Sequence, residues 1–390
     1  MNILIEGWRG INHSFSLVNQ WQIIELLKTS NIYFKDVPFI SDRWNKKDNS
    51  SGIDNNIENL IDKIPEADSG QDIDITYRIS CPFDFNENFK SKLLFVFGTC
   101  EYKFLYQNNF KNNSPDKIKQ NRNIFIHVPS NWSKKGFMNL GFEENQIIVV
   151  PHGVNMEDFN LLSKEEIQNV KKKYEIKDEN IVLSNIGAMS ENKGIEVLVS
   201  AYGILKKKHK NLKLILKDQS NLYGITTNHI FENIKKSEFN KKFNIINYEM
   251  KKDIIIISKN LSIKELKEIY SITNCYVSPY LAEGFNLTPL EAVACGTQIV
   301  VTKGGSTDDY FHNCMGYQIE SEEIKREDNS YILKPKIDSL IAILDQKIIN
   351  KEDNYQIDRS NFVNKNFSWR VVVNKLKKEF DNKLNSKSNN

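Results

Sequence analysis

Residues 283–296 read Glu-Gly-Phe-Asn-Leu-Thr-Pro-Leu-Glu-Ala-Val-Ala-Cys-Gly, and the order of residue types there decides the fold. The preceding run 275–278, Cys-Tyr-Val-Ser, is short and apolar enough for a buried strand. Thr288 suits an N-cap, Pro289 the first helical position and Gly296 the residue that ends a helix. The spacing therefore predicts strand, loop and helix. Glu283 lies in the loop at the strand's carboxyl end and Glu291 in the helix's first turn. Ligands of open α/β sheets bind at that end of the strands. A helix N-terminus offers unpaired N–H groups and partial positive charge to a phosphate. Gly284 lets the backbone approach a ligand closely, and carboxylates accept from paired hydroxyls. Residues 284–288 (Gly284, Phe285, Asn286, Leu287, Thr288) with Glu283 and Glu291 thus form a candidate cradle for a nucleotide sugar. The same spacing also fits a capping box, in which Glu291 reaches back to the Thr288 N–H, with Glu283 a solvated loop acid. Spacing alone leaves both readings open.

Outward from this stretch, short apolar runs alternate with longer helical patterns, the signature of parallel sheets covered by helices. Strands are expected at 3–5, 93–97, 124–128 and 147–150, then at 181–186, 212–216, 254–257, 275–278 and 298–301. Helices are expected from the loop 6–10 to about 28, near 57–64, at 194–208, 262–272 and 369–384. Residues 42–75 are polar and read as a surface excursion, and the linker is placed within the charged stretch 155–180. The expected architecture is α/β, two Rossmann-like doubly wound domains facing across a cleft: 1–165, with the C-terminal helix 369–390 packing back on it, and 166–368.

Composition narrows the function. The chain has 390 residues, too many for one ordinary core, with 53 basic and 50 acidic side chains and a formal charge of +3. No long basic block is present, which argues against nucleic acid. The five cysteines, 81, 100, 275, 295 and 314, form no C-x-x-C pair, so a reducing compartment is expected and a structural metal is not. No signal-peptide pattern and no membrane-length apolar run are seen, so a cytoplasmic location without a transmembrane segment is expected, with peripheral membrane contact left open.

Glu283-Gly-Phe, Pro289-Leu-Glu-Ala and Ala294-Cys-Gly together resemble the E-x7-E signature of retaining glycosyltransferases of the GT-B fold, the group 1 or family 4 type. Asn286 and Thr288 depart from the commoner E-G-F-G-x-P pattern. The resemblance implies that Glu283 contacts the donor sugar and Glu291 the nucleotide ribose. It extends to Gly187–Gly194, similar to the family's phosphate-holding G-R-x-x-x-x-K-G. Lys193 and Gly194 are kept, and Ala188 stands where the Arg would be. A Lys opening a helix is electrostatically unwelcome without an anion nearby, which independently marks Lys193 as a candidate diphosphate clamp. Taken by position alone, it is also one surface Lys among many. The loop Glu6-Gly7-Trp8-Arg9-Gly10 resembles the glycine-bearing loop after the first strand in such enzymes. Arg9, with Gly7 and Gly10, is the candidate for the missing cation. Pro151-His-Gly-Val-Asn155 resembles the family's interdomain hinge. Where many relatives carry a His near the anomeric carbon, this chain reads Phe97-Gly-Thr-Cys-Glu101. His13 is the acceptor-side candidate, and His127 is read as structural.

The implied activity is transfer of a sugar, with retention, from a nucleotide-diphosphate sugar to a hydroxyl acceptor (glycan, lipid or protein-linked), with no cofactor and no metal. A catalytically silent GT-B module binding a nucleotide sugar or glycan is the alternative. A dinucleotide-dependent dehydrogenase is disfavoured because no G-x-G-x-x-G follows the first strand.

Overall fold

The computed structural model describes residues 1–87, 90–111, 115–237, 240–241, 245–349 and 353–388. They divide into two units, 1–155 with 366–390 and 156–365. The division falls between Asn155 and Met156, ahead of the expected 165/166, and the chain returns to the first unit at Asn366.

In the first unit, β1 (Asn2–Gly7), β2 (Asn31–Asp36), β3 (Ile73–Ile79), β4 (Ser91–Phe97), β5 (Ile124–Val128) and β6 (Ile147–Val149) form a parallel sheet. Its order is β2-β1-β3-β4-β5-β6. Two of these strands, β2 and β3, differ from expectation. β3 begins inside the supposed polar excursion because its charges are locally neutralised. Asp74 pairs with Lys92 at 2.6 Å, and the buried Arg78 donates from Nε to Glu6 of β1 at 2.6 Å. On one face Ile3, Ile5, Ile75, Tyr77 and Phe95 pack against Val372, Leu376 and Phe380 of the helix Trp369–Ser388. These three helical residues recur every fourth position, so one stripe is buried. Leu94, Val96, Ile126 and Phe137 fill the other face. Sheets covered on both faces read as nearly continuous apolar strands.

The hinge-like segment 151–155 lies against the chain's return. Val154 N–H donates to Phe367 O at 2.7 Å and Trp369 N–H to Val154 O at 3.2 Å. A Cβ on Gly153 would lie 2.8 Å from the Trp369 Cα, so a side chain there would separate the two segments.

Three histidines are buried in this unit, His13, His127 and His152. His127 Nε2 lies 2.9 Å from the Val150 carbonyl and Nδ1 2.7 Å from the Tyr77 hydroxyl. A carbonyl only accepts, so Nε2 carries the proton and Nδ1 accepts from Tyr77. His152 packs against Phe97 and Trp369. Burial pushes His127 down to about 4 and His152 to about 3, from 6.5. The stability held by these neutral rings is whole above pH ~6.5 and is lost as pH falls towards the folded values, because the unfolded chain takes up protons that the folded rings refuse. Each ring accounts for roughly 3 kcal/mol by pH 4, at about 1.4 kcal/mol per unit. Urea unfolding at pH 7.5 and pH 4.5 checks this. The wild type loses stability across the interval, and His127→Gln loses less.

In the second unit, β7 (Ile181–Ile186), β8 (Leu212–Lys217), β9 (Ile254–Ile257), β10 (Cys275–Ser278), β11 (Gln298–Thr302) and β12 (Gly316–Ile319) form a second parallel sheet, ordered β12-β11-β10-β7-β8-β9. An antiparallel hairpin, β13 (Ser321–Lys325) and β14 (Tyr331–Pro335), follows and was not anticipated. Leu183, Leu212, Leu214, Leu216, Cys275 and Val277 pack under the helix Ile195–Lys208. The opposite face carries the helices Ile263–Ser271 and Leu287–Ala294, where Tyr276 meets Tyr270 and Thr288. The stretch 155–180, expected to contain the linker, holds a helix, Lys164–Lys173, opened by a Ser163–Glu166 capping box.

Candidate active site

The strand order of the second sheet reverses at β7. Its successor β8 lies on one side, and β10 lies on the other. Loops leaving the carboxyl ends of such a pair diverge and leave a crevice. The two loops here are 187–194 and 279–286.

The helix after β10 runs Leu287–Ala294, so it opens earlier than expected, with Asn286 rather than Thr288 as N-cap. Asn286 adopts the left-handed region (φ 67°, ψ 72°), which Asn tolerates better than most residues. Its Nδ2 donates to Ser278 Oγ at 2.9 Å, and its carbonyl accepts from the Tyr310 hydroxyl at 2.8 Å. The cap side chain therefore turns back into the sheet and accepts nothing from the first turn. Pro289 falls third in the helix, which costs nothing because N–H groups of the first turn have no intrahelical partner. Thr288 Oγ1 lies 2.8 Å from the Tyr276 hydroxyl, which is also 2.9 Å from the Ile186 carbonyl. Tyr276 thus ties the helix start to the end of β7. Phe285 packs on Tyr310 with ring centroids 5.2 Å apart, and Gly284 is buried beside it.

With Thr288 inside the helix there is no capping box. Glu291 Oε2 instead accepts from the Tyr270 hydroxyl at 2.8 Å. Burial pushes its carboxyl up to about 7, only partly offset by that hydrogen bond.

Glu283 is buried, its side chain 6% exposed, and forms an ion pair with Lys193, 28% exposed. Lys193 does not sit in the first turn of the following helix. It closes a single 3-10 turn, Glu191–Lys193, and Gly194 caps Ile195–Lys208. Asn192 joins the two loops. Its carbonyl accepts from Leu281 N–H at 2.7 Å and Ala282 N–H at 3.2 Å, and its Nδ2 donates to Ala282 O at 3.1 Å. Asn192, Tyr270, Tyr276 and Tyr310 were not picked out from the sequence, since Asn and buried Tyr carry no spacing signal. Ala188 is buried and supplies no charge.

The first unit reverses strand order between β1 and β3; Gly7 ends β1, and Arg9, Gly10 and His13 follow it. Arg9 is engaged locally. Nε and Nη2 donate to Asp36 at 3.0 and 2.8 Å, Nη1 donates to Ile61 O at 2.8 Å, and the guanidinium lies over Phe34. Gly7 packs where a Cβ would lie 2.7 Å from Ile79 O, and Gly10 has a positive φ of 81°. His13 caps the helix Ser14–Leu26, its Nδ1 accepting from Phe15 N–H at 3.2 Å, among the rings of Trp8, Phe15 and Trp44. Burial pushes it down to about 4, so it is neutral.

Residues 166–357 match the family model described as glycosyl transferases group 1. The matched stretch lies within the second unit. Among similar curated proteins are the serotype-specific mannosyltransferase WbdA of Escherichia coli, 28% identical over 34% of this chain and 15% of that protein, and the D-inositol 3-phosphate glycosyltransferase of Pseudarthrobacter chlorophenolicus, 25% identical over 46% and 40%. The lipopolysaccharide 1,2-N-acetylglucosaminetransferase of Salmonella typhimurium is 22% identical over 66% of this chain and 62% of that protein. The chain thus spans less than two thirds of the length of each. Solved structures similar along nearly the whole chain include a glycosyltransferase of Rickettsia africae (TM-score 0.66, 15% identity, 98% of both chains) and HepE of Anabaena, in complex with UDP and glucose (0.65, 13%, 98% and 100%). The fold is the two-domain, Rossmann-like GT-B fold, and the stretch matched by the family model contains Lys193, Glu283 and Glu291.

Proposed function

We propose that the chain is a retaining glycosyltransferase of the family 4 type that moves a sugar from a nucleotide-diphosphate sugar to a hydroxyl acceptor. The diphosphate lies against Lys193 and the uncapped start of the helix Leu287–Ala294. Glu283 accepts from hydroxyls of the donor sugar, and Glu291 from those of the ribose. The bond between the anomeric carbon and the phosphate oxygen breaks, and the acceptor oxygen bonds to that carbon on the same face. The acceptor's proton passes to the leaving diphosphate. Lys193 and the helix N-terminus stabilise the departing charge, the kind of preorganised electrostatics that dominates many enzymes. No protein nucleophile, cofactor or metal is part of this reading. The first unit is assigned the acceptor, with His13 beside it. Arg9 is left out of the donor site because Asp36 occupies its guanidinium.

The observation that carries this reading is the Lys193–Glu283 pair at the strand-order reversal of the stretch matched by the family model. Incubation with UDP-, GDP- and ADP-sugars, scored by thermal shift and by released nucleoside diphosphate, tests it. NMR of the product's anomeric proton tests retention. Binding without release of nucleotide would favour a silent module, which the uncharged Ala188 supports.

Glu291 makes the ribose assignment sensitive to pH. A diol needs the ionised carboxylate, and Glu291 ionises only around pH 7 in the free protein. Nucleotide affinity is expected to fall as pH drops through 7, approaching about tenfold per unit, because each unit is worth about 1.4 kcal/mol. Calorimetric titration between pH 5.5 and 8.5 checks this, and Glu291→Gln gives a flat, weaker profile.

A further inference from the structure

Four basic side chains are buried among the described residues: Arg78, Lys206, Lys217 and Arg359. Three are paired with carboxylates. Arg78 pairs with Glu6 and Arg359 with Asp353. The ammonium of Lys206 donates to the carbonyls of Lys210 and Leu212 at 2.5 and 2.8 Å and pairs with Asp253 at 2.6 Å, so all three of its N–H groups are used. Lys217 is the exception. It is 2% exposed, and among the described residues it lies within 4.0 Å of no carboxylate and makes one hydrogen bond, to the Asp218 carbonyl at 2.5 Å. The Asp218 carboxylate favours the charged ammonium electrostatically without pairing with it, and accepts instead from Ser220 and Thr227 N–H and from the Thr227 and Ser258 hydroxyls. A buried charge left this way is costly unless something neutralises it.

Its place in the sheet says what that is. Lys217 is the last residue of β8, paired in register with Ile186 of β7 and Ile257 of β9. Gly187, the first residue of the Lys193 loop, donates its N–H to the Lys217 carbonyl at 3.1 Å. Leu212, Leu214 and Leu216 point under the helix Ile195–Lys208. Lys217 alternates to the other face, the face on which Tyr276 meets the start of the helix Leu287–Ala294. It stands at the carboxyl edge, one strand beyond β7 from the Glu283 loop. We propose that Lys217 is a nucleotide-binding residue, donating its two unused N–H groups to phosphate oxygens of the nucleoside diphosphate. This rests on the nucleotide-sugar reading above and adds to it a cation that the resemblance did not point to. Burial, only partly offset by the Asp218 charge, pushes its ammonium down to about 8, so an incoming phosphate also favours the charged form.

The test is Lys217→Met, which keeps the length of the side chain and removes the charge, with Lys217→Gln as a second variant should Met fail to fold. UDP, GDP and ADP are titrated calorimetrically into the wild type and the variant, uridine serves as the phosphate-free arm, and both proteins are melted without ligand. The expected result is a Kd at least tenfold higher for the nucleotide that binds the wild type, with an unliganded melting temperature equal to or above wild type. Equal affinity overturns the proposal while leaving the nucleotide-sugar reading intact. A variant that binds normally per folded molecule and melts much lower overturns it too, by making the ammonium structural. Weakening of uridine as well as the diphosphate moves the contact from phosphate to base and overturns the assignment made here. Absence of binding of any nucleoside diphosphate to the wild type sinks the underlying reading itself.

Discussion

Lys193→Ala is expected to remain folded and to lose about 10³-fold in kcat, the order seen when one preorganised stabiliser of developing charge is removed. The ammonium has three N–H groups, and in this reading Lys193 holds Glu283 and a diphosphate oxygen together. Glu283→Gln keeps the shape of the side chain, removes the negative charge and loosens Lys193 as well as the sugar hydroxyls. Its loss is expected at about 10²-fold or more. The two positions act as a unit, so the double variant should lose far less than the product of the single losses. Released nucleoside diphosphate, followed at saturating donor with melting temperatures alongside, checks the set. A purely structural pair behaves differently. Each single variant would then melt lower, the double would regain stability, and turnover per folded molecule would be preserved. That pattern, or full turnover in Lys193→Ala, would falsify the catalytic assignment.

How far the sequence carried the reading depended on whether each signal was local. Strands such as Ile181–Ile186 and Ile124–Val128 are buried on both faces and announce themselves as apolar runs. β3 hid because its Asp74 and Arg78 are neutralised by Lys92 and Glu6, partners far away in sequence. At the site, Glu283, Lys193 and Glu291 were visible as residue types at a spacing, and the start of the helix was not. Thr288 and Pro289 are good opening residues by general preference. The cap nonetheless went to Asn286, because its left-handed backbone lets its amide reach Ser278 and its carbonyl reach Tyr310. That choice depends on Tyr310, which local pattern cannot supply. The same limit applies to Glu291, whose partner Tyr270 comes from the preceding helix, and to Lys217, which reads as an ordinary strand-end lysine until the paired strands bury it.

Gly194→Ala is expected to destabilise the second unit by about 3 kcal/mol or more and to abolish transfer, although the position carries no chemistry. Two effects add. Gly194 has φ 65° and ψ 25°, a conformation that costs an L residue roughly 1–2 kcal/mol. The added Cβ would also stand 2.0 Å from the Pro279 carbonyl oxygen and 2.9 Å from its carbon. Backbone atoms cannot swing aside as a flexible side chain can, so the loops 187–194 and 279–286 must part. The Asn192 hydrogen bonds to Leu281 and Ala282 then stretch, each worth about 1 kcal/mol net. Parting the loops also separates Lys193 from Glu283, which couples stability to activity at this residue. Gly187→Ala in the same loop is the control, since a Cβ there meets nothing within 4 Å and its φ is not in the left-handed region. It should melt like wild type. Thermal melts and donor turnover of the two variants decide the matter. If Gly194→Ala matched Gly187→Ala in both, the close approach of the two loops could not be what holds the lysine and the glutamate together.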